Sequence, residues 1–243
     1  MAKILGTRQD DRLEGGREAD TIRGFRGDDV LFGYAGHDLL AGGGGNDVLH
    51  GGRDDDSVFG DKGDDRLYGD AGEDEMYGGA DDDRLYGGAE RDILFGEEGD
   101  DVVEGGDGDD LMFGEQGDDV MIGGAGDDVM SGTGGGMDRF VFTEARTSGE
   151  RDRDVITYFT PFTADEPRKL IDLSAIDADV GTDGDQAFRF IGRQDFTGQA
   201  GELHWVLERR FEFVIAGDVD GDGEADFFIR TPDHRPELAD FVL

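Results

Sequence analysis

The sequence predicts an all-β protein, in which a right-handed parallel β-roll of nine-residue repeats over residues 1–136 precedes a mostly β C-terminal cap over residues 137–243. Two observations support this. Between Gly6 and Gly136 the chain repeats Gly-Gly-x-Gly-x-Asp-x-U-x, where U is a large apolar residue, and the period is unbroken from Leu13 to Met130. From residue 137 the period stops and alternating apolar and polar runs begin, which are typical of strands. A fixed short period of this kind indicates a parallel β-helix or β-roll.

Each repeat is numbered from one to nine, with Gly at position one, Asp at six and U at eight. Glycines at positions one, two and four allow a tight turn, and the three-residue strand that follows carries a single inward side chain at position eight. Two units make one coil, so units 18 residues apart stack. The U residues are Leu13, Ile22, Leu31, Leu40, Leu49, Val58, Leu67, Met76, Leu85, Leu94, Val103, Met112, Met121 and Met130.

Composition excludes several classes of partner. The chain has 61 acidic and 23 basic residues and a net charge of −38, which argues against binding to nucleic acids or anionic membranes. It has no Cys, so disulfides and thiolate metal sites are excluded. No apolar run is long enough to span a membrane, and the start of the chain is too short for a secretory signal peptide. Such acidity is also typical of disorder, but disordered tails do not keep a strict period.

The repeats are expected to need a bound cation. One inward apolar side chain per unit gives a thin core, whereas ordering a Gly-rich chain is costly. Stacked Asp residues at the turns add repulsion. A hard cation with oxygen ligands fits these turns, and Ca²⁺ accepts six to eight carboxylate and carbonyl oxygens in flexible geometry, whereas Mg²⁺ demands a stricter octahedron.

On this pattern, residues 6–136 resemble the repeats-in-toxin, or haemolysin-type, calcium-binding family. The resemblance implies that each Ca²⁺ lies between two stacked turns, held by carbonyls of positions one to four, the position-five side chain of one turn and the position-six Asp of the other. On the first edge it implies position-five ligands Asp10, Asp28, Asn46, Asp64, Asp82, Asp100 and Asp118, and position-six ligands Asp11, Asp29, Asp47, Asp65, Asp83, Asp101 and Asp119.

The second edge is less regular. Its position-six residues are all Asp, but position five includes Ala19, His37 and Arg91, and position four departs from Gly at Glu18, Asp54 and Glu90. We therefore expect calcium to fill the first edge more completely. Arg91 either places a guanidinium where an ion would lie, near Asp92, or points to solvent. The second-edge candidate ligands are Asp38, Asp55, Asp56, Asp74, Asp109, Asp110, Asp127 and Asp128.

Outward-facing aromatic residues recur at position nine. One ladder contains Phe59, Tyr77, Phe95 and Phe113, and the opposite face offers Phe32, His50, Tyr68 and Tyr86. An aromatic stripe of this kind predicts either a docking surface for a glycan, a protein or a second copy, or stacking that stabilises neighbouring strands and packs under the C-terminal region.

The C-terminal region has five strand-like runs and one expected helical turn. The turn lies at the end of Lys169–Asp177, capped by Asp172 or Ser174. The region is expected to continue the roll and close its end. The strand-like runs are residues 139–142, 154–159, 187–191, 203–207 and 211–215.

Segments such as Leu170–Asp177, Phe196–Leu203 and Gly217–Phe227 resemble the C-terminal domain of serralysin-type secreted metalloproteases. That resemblance implies export by a type I secretion apparatus that reads an uncleaved C-terminal signal. The chain's last residues, Ala239–Leu243, with an acid followed by apolar residues, resemble such a signal.

A separate acidic loop follows the pattern of an EF-hand in its first part. Asp218, Asp220, Asp222 and Asp226 are candidate calcium ligands around a Gly at the bend, but the twelfth position is Ile229 rather than Glu. The loop is therefore either a shorter calcium site or an acidic turn without an ion.

The sequence offers no catalytic motif. The four histidines lack the spacing of a zinc protease, and there is no G-x-S-x-G nucleophile elbow or P-loop. We therefore expect a non-catalytic, secreted module that folds on binding several Ca²⁺ ions. Two alternatives remain. The chain is the secretion and folding module of a protease or polysaccharide-modifying enzyme whose catalytic part lies elsewhere, or it is an adhesion or carbohydrate-binding module that uses the outer aromatic residues.

Overall fold

The computed structural model describes residues 1–143, 153–157, 169–181, 186–209, 212–232 and 234–243. The repeats form short strands separated by tight turns. In chain order these are β1 (Lys3–Leu5), β2 (Arg12–Gly16), β3 (Thr21–Arg23), β4 (Val30–Ala35), β5 (Leu39–Ala41), β6 (Val48–Arg53), β7 (Ser57–Lys62), β8 (Arg66–Ala71), β9 (Glu75–Ala80), β10 (Arg84–Ala89), β11 (Ile93–Glu98), β12 (Val102–Asp107), β13 (Leu111–Gln116), β14 (Val120–Ala125) and β15 (Val129–Ser131).

Odd-numbered and even-numbered repeat strands form two separate sheets, named here the odd sheet and the even sheet. Neighbouring strands are parallel and exactly one coil apart, so that Leu67 lies opposite Leu49 on one side and Leu85 on the other. The chain thus crosses to the other sheet with every repeat. This confirms the predicted parallel β-roll with two units per coil.

The core consists of the position-eight side chains, one from each strand, which the two sheets contribute alternately along the chain. From Ile22 to Met130 every one of these residues is fully buried, while Leu13 in the first coil is half-buried and packs against them. Position one is also buried, as at Gly60. A core with one apolar side chain per strand gives each coil few apolar contacts, so the turns must contribute to holding the coils together.

The same core line continues past the repeats. Phe140 lies opposite Met121 and Ile156 opposite Met130, and both new residues are fully buried. Ile171, also fully buried, lies opposite Phe140 in the next coil. The strands that follow the repeats therefore add to the two sheets and extend their core.

These later strands are irregular in length and order. The even sheet adds β16, β18 and β23 in parallel, and the odd sheet adds β17 and β22 in parallel before it turns antiparallel through β21 and β20, with β19 at its edge. They are β16 (Arg139–Val141), β17 (Arg153–Thr157), β18 (Leu170–Asp172), β19 (Arg189–Gly192), β20 (Glu202–Arg209), β21 (Glu212–Asp218), β22 (Phe227–Pro232) and β23 (Phe241–Val242), with a short 3-10 helix at Leu238–Asp240.

The five strand-like runs of the C-terminal sequence correspond to β16, β17, β19, β20 and β21. Tyr158, Phe159 and Phe211, at the ends of two of these runs, lie outside the described residues. Strands β18, β22 and β23 do not follow from the sequence pattern. The all-β fold class with a mostly β cap is confirmed, since the described residues contain no α-helix.

The expected helical turn after Lys169 is a single hydrogen-bonded turn. Ile176 N–H donates to the carbonyl of Leu173 at 3.0 Å. Asp172 Oδ1 caps this turn, accepting hydrogen bonds from the N–H and the hydroxyl of Ser174 at 2.9 and 2.6 Å. The Asp172 carboxylate thereby satisfies an N–H at the start of the turn that has no backbone partner within it.

Candidate metal-binding turns

The turns stack in two columns along the edges of the roll. On the first edge the chain passes from the odd sheet to the even sheet, and on the second edge it returns. Position one admits only Gly. A Cβ on Gly60, for example, would collide with the second carboxylate oxygen of Asp65 and with the carbonyl oxygen of Gly78 in the next coil. Two oxygen acceptors therefore converge beside glycines such as Gly60, Gly78 and Gly96.

Each position-six carboxylate is tied to the coil before it by one oxygen. Asp65 Oδ1 accepts a hydrogen bond of 2.7 Å from the backbone N–H of Asp47, and Asp74 Oδ1 does the same for Asp56 on the second edge. The backbone thereby fixes the side chain in one orientation. Its other oxygen is turned into the space between the turns.

That second oxygen, Oδ2, has no hydrogen-bond partner in the described structure, although it is buried. A buried carboxylate oxygen without a partner is costly, so many of them in register indicate a ligand that these atoms are arranged to hold. The residues concerned are Asp29, Asp38, Asp47, Asp56, Asp65, Asp74, Asp83, Asp92, Asp101, Asp110 and Asp119.

Position-five side chains on the first edge point the opposite way, towards the following coil. Asp28 Oδ1 accepts from Asn46 N–H at 2.9 Å, and Asn46 Oδ1 accepts from Asp64 N–H at 3.2 Å. The series runs without a break from Asp10 to Asp118, whose Oδ1 accepts from Met137 N–H at 2.7 Å. Each space between first-edge turns thus brings together a position-five side chain from one coil and a position-six carboxylate from the next.

The second edge has fewer such position-five bonds. Asp55 Oδ1 accepts from Glu73 N–H at 3.0 Å and Asp109 Oδ1 accepts from Asp127 N–H at 2.9 Å. His37 Nδ1 instead lies 3.0 Å from the carbonyl oxygen of Asp55.

Arg91 is exposed on this edge. Its positive charge acts on Asp110, whose pKa it lowers against the larger effect of burial, which raises that pKa to about 6. The guanidinium is therefore close enough to the second-edge column to influence it electrostatically.

Two acids that replace glycine at position four are part of the column. Asp54 Oδ2 accepts from Gly36 N–H at 3.0 Å, and Glu90 Oε2 accepts from Gly72 N–H at 3.2 Å. In the sequence pattern these residues are only departures from the repeat. The signal that could have identified them is the recurrence of an oxygen-bearing side chain exactly where glycine is lost.

Burial makes the carboxyl groups of the columns weaker acids. Chiefly through burial, and also through the stacked carboxylates of neighbouring coils, the pKa of Asp47 and Asp65 is raised to about 7 and that of Asp83 and Asp92 to about 8. Without a cation, the folded turns therefore hold carboxylates that resist ionisation at neutral pH. The available donors are carboxylate and carbonyl oxygens only, a set that suits a hard cation such as Ca²⁺.

The acidic loop after β21 is ordered by its own backbone. Asp218 is buried, and its two oxygens accept from the N–H groups of Gly221 and Gly223 at 2.6 and 3.0 Å. Carboxylate oxygens of Asp218, Asp220 and Asp222 lie within 4.8 Å of one another. Asp226 stands apart from this group and accepts from Val219 N–H at 2.6 Å.

The aromatic residues at position nine stack on one another face to face. Phe59, Tyr77, Phe95 and Phe113 have ring centroids 4.8 to 5.0 Å apart and interplanar angles of 2 to 7°. The opposite face carries a similar stack from Phe32 to Tyr86. Both faces of each inner ring are covered by the rings of the two neighbouring strands, so this arrangement joins adjacent strands.

None of the histidines takes part in a group of three or more metal-binding side chains within the described part of the chain. His204 Nδ1 lies 2.8 Å from the carbonyl oxygen of Gln194, and His234 Nε2 lies 2.9 Å from a carboxylate oxygen of Asp240. Across the described ranges, no helix combines the length and apolar character that crossing a membrane requires.

A family profile matches the repeats. The profile of the RTX calcium-binding nonapeptide repeat matches the chain in four copies, at residues 5–40, 41–76, 77–112 and 104–136, which is more than half of the chain. Among solved structures, the chain is similar to the solution structure of the AlgE6R3 subunit of the Azotobacter vinelandii mannuronan C5-epimerase, with 22% identity and a TM-score of 0.35, over 68% of this chain and 80% of that chain. A search of curated proteins finds no match.

Proposed function

Because this chain belongs to the family of RTX calcium-binding repeat proteins, whose nonapeptide repeats bind calcium, we propose that it is a secreted module whose fold is triggered by Ca²⁺. The buried, unpartnered carboxylate oxygens in register along both edges carry this proposal. Binding of a cation that requires the folded turns contributes its free energy directly to folding.

The proposed ligands on the first edge are the position-five and position-six side chains that share each space between turns, together with turn carbonyls. The continuous series of position-five bonds from Asp10 to Met137 supports a complete first-edge column. On the second edge we propose sites at Asp38, Asp55, Asp56, Asp74, Asp109, Asp110, Asp127 and Asp128, with weaker occupancy beside Arg91.

The loop at Asp218, Asp220, Asp222 and Asp226 is proposed as a separate calcium site. The proximity of its first three carboxylates supports this, and its alternative is an acidic turn held by backbone hydrogen bonds alone. A D220N/D222N chain that binds one ion fewer than the unchanged protein would favour the site. An unchanged ion count would favour the turn.

The module is proposed to stay unfolded at the low calcium concentration of a cytosol and to fold outside the cell, after export by a type I apparatus that reads the C-terminus. Its carboxylates act as structural ligands, so we assign it no reaction of its own. Calcium titration followed by far-ultraviolet circular dichroism should show a cooperative gain of β signal, and Mg²⁺ at equal concentration should give less. A chain already folded in chelator would contradict the proposal.

A second candidate function is binding of a glycan or protein partner at the end of the odd-sheet aromatic stack. The face of Phe59 that looks away from Tyr77 borders Ala41, and a cavity of about 460 Å³ lies there, lined also by Arg23, Phe25 and Asp61. Because inner rings such as Phe95 are covered on both faces, F59A should abolish such binding while F95A should weaken it only slightly. Equal loss from both substitutions would argue against this location.

A further inference from the structure

The first-edge column does not end with an acid. At its C-terminal end, position six is occupied by Asp119 and then by Asp138. Asp119 Oδ1 accepts a hydrogen bond from Asp101 N–H, and Asp138 Oδ1 accepts one from Asp119 N–H, so Asp138 continues the column. The next strand, β18, pairs with β16 so that Leu170 lies opposite Arg139. The residue in register with Asp138 is therefore Lys169, at the place where every earlier coil has an Asp.

Lys169 turns its ammonium group back into the space between the turns. The side chain is 4% exposed, and its Nζ donates to Asp138 Oδ2 and to the carbonyl oxygen of Gly132. One acceptor is a position-six carboxylate oxygen and the other is a position-one carbonyl oxygen. The same two kinds of atom converge in the earlier turns, where the carboxylate oxygen has no hydrogen-bond partner.

The atoms nearest to Gly132 differ from those nearest to the earlier position-one glycines. Beside Gly60 and Gly78 the nearest atoms are a position-six carboxylate oxygen and the glycine carbonyl of the following coil. Beside Gly132 they are the carboxylate of Asp138 and Nζ of Lys169. A positive charge thus lies where the other turns present only oxygen acceptors.

We infer that the Lys169 ammonium takes the place of a calcium ion at the C-terminal end of the first-edge column, so that this last space binds no metal. Two cations a few ångströms apart in a buried site repel strongly, and the ammonium already satisfies the acceptors that an ion would need. The second edge has no such device, since Ile229 lies in register with its last acid, Asp154. This inference rests on the calcium-binding function proposed for the other turns.

The test is the number of ions bound by the full chain. K169D restores the repeat's own position-six residue, but position five of the turn below is Met137, which offers no oxygen ligand. We therefore expect M137D/K169D to bind one calcium ion more than the unchanged protein, with a new anomalous peak beside Asp138. K169M removes the ammonium without supplying a ligand and should bind the same number of ions as the unchanged protein but melt at a lower temperature in calcium. K62D, at an exposed lysine of a first-edge turn, is the matched control and should add no ion.

Three results would overturn the inference: no additional ion in M137D/K169D, an anomalous peak between Asp138 and Lys169 in the unchanged protein, or an M137D/K169D chain that calcium cannot fold. Failure of the proposed function has a different signature, because then the unchanged protein itself would bind no calcium.

Discussion

Asp65 and Asp47 stand one above the other in successive coils, and the carboxylate of Asp65 accepts the backbone N–H of Asp47 at 2.7 Å through one oxygen while the other faces the space between the turns. The carboxylate therefore has two tasks. It closes a backbone hydrogen bond without calcium and presents a charged ligand when calcium arrives. Substitution by Asn separates these tasks, because the amide oxygen can still accept the N–H but carries no charge.

We expect D65N to change stability in opposite directions with and without calcium. In chelator, the change removes a buried charge and should stabilise any folded form. In calcium, it should weaken an ion site and lower the free energy of unfolding by about 2 kcal/mol, the scale of a lost interaction with a charged group. Urea unfolding under both conditions measures this. D195N, at an exposed residue outside the repeats, should change neither value, and loss of stability in both conditions would contradict a ligand role.

The calcium-free chain should be more stable in acid than at neutral pH. Burial raises the pKa of Asp47 to about 7 and that of Asp83 to about 8, from an ordinary value of 3.8, so the folded state binds more protons than the unfolded state between these values. Its free energy of unfolding therefore falls as pH rises from about 4 to about 8. Circular dichroism in chelator should show more β signal at pH 4.5 than at pH 8. The calcium midpoint should rise as pH falls, since protons compete with the ion, and a pH-independent midpoint would contradict this.

Backbone strain at position two should be removable. Glu97 has φ of 78°, a left-handed conformation that costs non-glycine residues roughly 1–2 kcal/mol, partly offset by the extra chain entropy of Gly in the unfolded state. We expect E97G to stabilise the calcium-bound protein by about 0.5–1 kcal/mol, measured by thermal unfolding. G88A is the reciprocal variant. Gly88 has φ of 120° and a Cβ there would collide with the carbonyl of Asp70, so it should destabilise. Equal effects of the two changes would show that this strain is unimportant.

Occupancy of the two edges should differ in an anomalous-scattering map of the calcium-bound protein, with the first edge more complete. R91D places an acid at position five, where the first edge has one in nearly every coil, and removes a positive charge that acts on Asp110. It should therefore bind one ion more on the second edge. Equal occupancy of both edges in the unchanged protein would contradict the expected inequality.

The repeats show how far a strict period determines a fold. An apolar residue every nine positions predicts both the strand and its inward side chain, and Leu49, Leu67 and Leu85 lie in the register that this spacing requires. The Gly-rich turns and their Asp residues likewise indicate calcium, and the family match confirms that ion. Each coil contacts only its neighbours, so local sequence contains nearly all the information.

The C-terminal strands show where that information ends. Strand β22 pairs in parallel with β17, Asp154 lying opposite Ile229, and no local pattern specifies a pairing between segments so distant in sequence. The position of Lys169 is equally hidden. Its place in the column depends on how the chain between Asp138 and Lys169 closes one coil, and that length differs from the repeat.

Because successive repeats alternate between the two sheets, the number of repeats, odd or even, decides on which edge each turn lies. Deleting eighteen residues removes one whole coil and leaves every remaining turn on its own side, whereas deleting nine would transfer all turns on one side of the cut to the opposite side. First-edge acids such as Asp118 would then stack on the second-edge turns that contain Arg91, and Lys169 would lie on the second edge instead of the first. The array can therefore grow or shrink in pairs of units, but an odd change in their number would require the cap to be built anew.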